Sequence, residues 1–218
     1  MSPELVRALV GVLEAKDLST AAHTWRVVLY TRALAEEAGL DHEFVKRLPY
    51  GAALHDVGKI EIPDEILQKP GRLTPAEFEI MKTHAALGHE RLLRMDETDP
   101  VLLELVRHHH ERWDGLGYPD KIAGSAIPVG ARIFSVIDTF DAMTSLRPYR
   151  MEVGHAAADR ALEALHRGVG SSYWKEAVEM FERLYRTGSL GWILEYFNDS
   201  CPVPDYGELA QLHKIRSA

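Results

Sequence analysis

A histidine and an aspartate stand side by side at His55-Asp56, within Leu54-His55-Asp56-Val57-Gly58-Lys59-Ile60. Residues 48–54 before them are mostly small and apolar, and consecutive helical residues lie about 100° apart, so two polar neighbours at a buried helix end reach one shared point. An imidazole and a carboxylate meeting at such a point make either a core hydrogen bond or the start of a metal site. Gly58 is expected to stop the helix, leaving Lys59 as a cation just past its end.

Four more histidines fall where burial is expected. His23 shares a helical face with Val27, Thr31, Leu34 and Ala38, and His84 lies among Ile80, Leu87 and Gly88. His109 continues Leu102, Leu105 and Val106 at i, i+3, i+4 and i+7, with His110 beside it. Asp138 sits in an otherwise apolar stretch over residues 129–145. Burying so many imidazoles without partners is costly, whereas neutral histidines and carboxylates together are what a divalent metal requires. His23, His55, Asp56, His84, His109, His110 and Asp138 are too many ligands for one ion. The pattern therefore predicts two metals, with the centrally placed Asp56 as the bridge.

The elements that must position these residues read as helices. Leu5, Leu9, Val12 and Leu13 recur at helical spacing; Ser19 or Thr20 can cap a second helix reaching about Ala38 and ended by Gly39; Asp41 caps a third that carries His55-Asp56. Pro63, Pro70 and Gly71 allow only an ordered loop or a short helix after Ile60. Thr74-Pro75-Ala76-Glu77 is a capping box with proline at its first helical position, opening a helix expected to turn Phe78, Met81, Ala85, Gly88 and Leu92 inward. Asp99-Pro100 opens the next helix. Gly115, Gly117 and Pro119 then dictate a loop, which Glu111 and Asp114 are expected to brace, or else to orient a ligand histidine. Residues 129–145 are rich in β-branched side chains but too long for a strand, so a buried helix is expected, on which Asp141 caps or pairs with an arginine. Further helices are expected over 156–165 and 174–185, with a core-covering one at 190–194, and no strand.

The order His23, His55-Asp56, His84, His109-His110 and Asp138, with Asp56-x-Gly58-Lys59 and His109-His110-Glu111-x-x-Asp114-Gly115-x-Gly117-Tyr118-Pro119, resembles the HD-GYP domain, a branch of the HD phosphohydrolase superfamily. The resemblance covers roughly residues 16–170. It implies an all-α fold, a single helical HD-type domain with a GYP loop, and an iron or manganese site hydrolysing the bacterial messenger cyclic di-GMP to linear pGpG and onward to GMP. By the same resemblance the seven residues are metal ligands, and Lys59, catalytic together with Asp56, contacts a substrate phosphate. Tyr118 supports the site or stacks on a guanine, and Arg147 and Arg150 hold the second phosphate. Some members place a glutamate four residues before the first histidine as ligand to a third metal; Ser19 stands there, so two divalent ions are expected, iron ahead of manganese. The family's usual Phe-Asp-Pro is absent after Gly170, where Ser171-Ser172-Tyr173-Trp174 follows. Residues 1–170 thus read as the metal-dependent domain and 171–218 as a divergent C-terminal helical extension. Family members often follow a sensory or receiver domain, and the chain reads as a standalone form or an excised output domain.

Composition limits the partners. A chain of 218 residues, 46% hydrophobic, fills one core, and a formal charge of −8 leaves no basic surface to follow duplex nucleic acid. A small phosphorylated ligand at a local site fits better; a cyclic dinucleotide substrate, a diguanylate cyclase or other regulatory partner and a homodimer are the expected associations. Cys201 is the only cysteine, which excludes an intrachain disulfide or cysteine-built zinc site and fits a cytoplasmic location. The first sixteen residues are amphipathic and unlike a signal peptide, and no stretch approaches the roughly 18 apolar residues of a membrane span. Two other functions remain open: an HD-type phosphohydrolase for another cyclic or linear nucleotide or a phosphomonoester, and a non-catalytic receptor or interaction module.

Overall fold

The computed structural model describes residues 1–17, 21–145 and 155–196, apart from the side chains of residues 21, 155, 156 and 194–196. Ser19, Arg147 and Arg150, named above, lie outside the described residues. In chain order the helices are α1 (Pro3–Asp17), α2 (Ala21–Glu37), α3 (His42–Leu54), α4 (Asp64–Leu67), α5 (Pro75–Lys82), α6 (His84–Arg94), α7 (Pro100–His108), α8 (Val129–Thr144), α9 (His155–Arg167), α10 (Lys175–Arg186) and α11 (Gly191–Tyr196). A 3₁₀ turn, Val57–Glu61, links α3 to α4. No strand forms among the described residues; Val169 and Tyr173 make an isolated bridge. The fold is all-α, as expected.

The helix ends follow their local chemistry. Asp41 accepts from Glu43 N and Phe44 N to start α3, and Thr74 with Glu77 closes the capping box of α5. Asp99 accepts from Val101 N, with Pro100 first in α7. Gly39, at φ 66°, ends α2 in the left-handed region.

α8 is the central helix. Ala131, Ile133, Phe134, Val136, Ile137 and Phe140 on it are all buried, and α2, α7, α9 and α10 pack around it. A helix apolar on every side needs such a sheath, which is why this β-branched stretch is helical. Tyr30, Phe140 and Phe181 pack edge-on or tilted, with centroids 4.7–5.9 Å apart. Each such ring contributes roughly 1.5–3 kcal/mol by burial. Ile193 on α11 and Leu190 just before it cover the same core. A second cluster lies under α1, joining Val6, Leu9 and Val10 to Leu54, Val57, Leu92, Leu102 and Val106.

Three expectations need correction. The buried stripe of α1 is Val6, Leu9, Val10 and Leu13, while Leu5 and Val12 are exposed. The helix opened at Thr74 does not continue to Leu92. Thr83 turns its hydroxyl onto Ile80 O at 2.7 Å, the helical phase breaks, and α6 starts afresh at His84. Phe78 is consequently 47% exposed and Met81 half-buried, whereas Ala85, Gly88 and Leu92 are buried. Gly58 is no helix stop: α3 ends at Leu54, and Gly58 lies inside the 3₁₀ turn. A Cβ there would meet His84 O at 1.9 Å and Gly88 N at 2.4 Å. Its role is to let the turn press against α6.

Candidate metal centre

The breaks in the helices deliver the donors. His55 caps α3 and Asp56 opens the 3₁₀ turn; His84 is the first residue of α6; His109 caps α7, with His110 next; His23 projects from the first turn of α2. Ligand atoms of Asp56, His84, His109 and His110 lie within 4.8 Å of one another, and those of His23, His55 and Asp56 do likewise. Asp56 belongs to both groups, in keeping with a bridging place. Asp138, half-buried on α8, is in neither group, yet its charge acts on His55, His110 and Tyr118.

Backbone carbonyls fix the rings. His55 Nδ1 donates to Ala52 O at 2.8 Å, His84 Nδ1 to Met81 O at 2.8 Å and His109 Nδ1 to Val106 O at 2.9 Å, each three residues back. A neutral imidazole donating from Nδ1 presents a lone pair at Nε2. His84 Nε2 nevertheless faces His109 Nε2 at 3.2 Å and Asp56 Oδ1 at 3.3 Å. Three acceptors converge there in a buried place, where a divalent cation would satisfy them.

Electrostatics keep most of these rings neutral. Burial lowers His84, and burial with neighbouring imidazoles takes His109 well below the usual histidine range and His110 to about 4. His55 differs. Burial disfavours its charge, but Asp56, with Oδ2 3.2 Å from Nε2, raises it to about 9. Burial would raise Asp56, but the His55 and Lys59 cations hold its carboxyl well below the usual range. The Lys59 ammonium is 2.8 Å from Asp56 Oδ2, at the edge of the cluster. The Tyr118 ring lies 4.7 Å from that of His110, tilted by 31°. Burial and the charges of Asp56 and Asp138 raise its phenol.

A family model described as HD domain matches residues 9–176. The chain belongs to the HD domain family. It is 44% identical over 184 residues to a Thermotoga maritima protein named cyclic di-GMP phosphodiesterase, covering 83% of this chain and 49% of that one. It is 42% identical over 150 residues to the Vibrio cholerae 3'3'-cGAMP-specific phosphodiesterase 2, covering 68% of this chain and 29% of that one. The chain thus spans about half, or less, of the length of these relatives. The structure of the PgpH HD domain from L. monocytogenes, solved in complex with cyclic-di-AMP, matches in fold with a TM-score of 0.60 at 14% identity, over 83% of this chain and 96% of that one. The HD-GYP resemblance of the motifs is borne out. No described helix is long and apolar enough to cross a membrane.

Around its donors this HD domain places residues that seat them, of which Phe134 was not singled out from the sequence. Asp141, fully buried, meets His23 Nδ1 at 2.7 Å and Arg26 Nε at 2.5 Å. The expected arginine partner is there, and the same carboxylate also orients the imidazole. Burial would raise Asp141, but the His23 hydrogen bond and the His23 and Arg26 charges hold it well below the usual range. Phe134 packs on His55 at 4.8 Å, an apolar floor to the site. Glu111 braces the loop by accepting from Asp120 N and Lys121 N. Asp114 accepts from Arg112 and Leu116 N, and its own N–H donates to Ser171 O at 2.8 Å, so residues beyond Gly170 help seat the loop. Gly117 admits no side chain, since a Cβ would lie 2.4 Å from Arg112 N.

Proposed function

We propose that this HD domain is a metal-dependent phosphodiesterase that opens cyclic di-GMP to linear pGpG and carries it onward to GMP. The observation that carries the reading is the convergence of the buried His84 and His109 Nε2 atoms on each other and on Asp56 Oδ1, within a cluster of ligand-type atoms that shares Asp56. Identity to the Thermotoga maritima cyclic di-GMP phosphodiesterase supports the choice of substrate. His23, His55, Asp56, His84, His109, His110 and Asp138 would hold two divalent ions, with Asp56 between them. Imidazole and carboxylate donors suit iron, and manganese after it. When bound, such ions supply Lewis acidity and positive charge at a phosphodiester.

The protein's own groups do the rest. Lys59 brings an ammonium to the substrate phosphate, where negative charge grows during displacement. Tyr118, stacked on His110, offers its ring to a guanine face. Arg147 and Arg150 are proposed to grip the second phosphate through their planar guanidinium donors. Asp141 holds the His23 ring in one tautomer. Phe134 keeps water from beneath the donors.

The relative named for 3'3'-cGAMP supports a second reading, in which a mixed cyclic dinucleotide is the preferred substrate. Both are tested by purifying the chain anaerobically, measuring its metal and following the two dinucleotides by chromatography with added iron or manganese. About two metals per chain are expected, with turnover by the wild type and loss of both metal and turnover in Asp56→Ala. A metal-loaded wild type that leaves both dinucleotides intact would overturn the reading.

A further inference from the structure

Lys59 is held by two carboxylates. Its Nζ lies 2.8 Å from Asp56 Oδ2 and 2.9 Å from Asp17 Oδ2, with side chains 21% exposed for Lys59 and 13% for Asp17. Asp17 ends α1 and belongs to none of the site's motifs. Its neighbour anchors it: Lys16 Nζ donates to Ile60 O at 2.7 Å and Ile62 O at 2.8 Å and lies 3.2 Å from Asp64, while Gln68 Nε2 donates to Lys16 O at 3.0 Å. Two successive residues of α1 thus reach the same 3₁₀ turn, one through its backbone and one through its lysine.

The two carboxylates are not equivalent. Asp56 is the proposed bridging ligand, and a carboxylate that donates both oxygens to dications attracts an ammonium less, while the dications repel it. Asp17 belongs to neither donor group. A lysine side chain is long and flexible, and an ammonium without a fixed counter-charge turns to solvent. We propose that Asp17 is a positioning residue, which keeps the Lys59 ammonium at the edge of the metal centre once Asp56 is committed to metal. The proposal rests on the phosphodiesterase reading for what Lys59 does there, and on the Asp17–Lys59 contact for how it is held.

The test uses the full chain with Asp17→Asn, Asp17→Glu, Lys59→Gln and the Asp17→Asn/Lys59→Gln double variant. Metal content, kcat and KM for cyclic di-GMP, and the urea midpoint of the metal-free protein are measured for each. Asp17→Asn should keep its metal and lose about 10- to 100-fold in kcat, with a smaller change in KM. Asp17→Glu should recover part of that loss. In the Lys59→Gln background, Asp17→Asn should change kcat by less than about twofold, because the group it positions is gone. Equal losses in both backgrounds overturn the proposal, and loss of metal in Asp17→Asn overturns it by making Asp17 a ligand. If the wild type turns over no cyclic dinucleotide, the functional reading fails on its own. The contact is then judged by the metal-free midpoints, where non-additive shifts support positioning and additive ones overturn it.

Discussion

At the scale of single residues, the imidazoles divide by charge. His84, His109 and His110 are pushed down, His110 to about 4, so they are neutral near neutral pH and ready to donate. His55 is raised to about 9 by Asp56 and so holds a proton in the metal-free molecule. A metal must displace that proton, since only the neutral ring can ligate. Metal uptake near pH 7 should therefore release on the order of one proton per chain, and affinity should climb about tenfold per pH unit until His55 is already neutral. Titration calorimetry with manganese in buffers of different ionisation enthalpy measures this directly; a heat independent of buffer would contradict it. The same scale separates what the sequence displays from what it hides. The clustering of these histidines was legible because each sits on an apolar face or at a helix end, where an unpartnered imidazole is costly. Asp17 and the His23 contact of Asp141 were not, because they meet their partners across 42 and 118 residues of sequence, and no local spacing encodes such a pair.

At the scale of elements, helix existence and caps were legible, since Asp41, Thr74-Pro75 and Asp99-Pro100 carry their own hydrogen-bond logic. Phase was less so. A stripe extrapolated through Thr83 put Phe78 inside, but the helix breaks at that threonine and leaves Phe78 exposed, while His84 is buried as its neighbours led one to expect. The turn bearing Lys59 shows a similar limit. Gly58 signalled punctuation, but its reason is the backbone of α6 lying where a Cβ would go. Because that neighbour is backbone, no side chain can swing aside to make room. Gly58→Ala should accordingly destabilise the domain by about 3 kcal/mol, measured by urea unfolding, and weaken metal retention by shifting His84 away from Asp56. A stability within a few tenths of a kcal/mol of wild type would mean that the two segments separate without cost, against the packing described.

At the scale of the molecule, the candidate centre is where distant parts of the chain meet. Its donors come from α2, the end of α3, the start of α6 and the end of α7, while Asp138 on the central α8 adds its charge. In the metal-free protein these segments bring acceptors against acceptors inside the core, as at the 3.2 Å approach of His84 Nε2 and His109 Nε2. A cation there would relieve that repulsion and tie together helices otherwise joined by apolar packing. A ligand bound only by the folded state stabilises it by about 2.7 kcal/mol at one hundred times its dissociation constant. Removing metal with a chelator should therefore lower the urea midpoint of the whole cooperative transition, and returning iron or manganese should restore it. Asp56→Ala, lacking the shared carboxylate, should unfold at the same midpoint with and without added metal. A wild type indifferent to chelation would show that the cluster contributes nothing as a metal centre, whatever activity the chain has. An equal response in Asp56→Ala would place the metal elsewhere in the molecule.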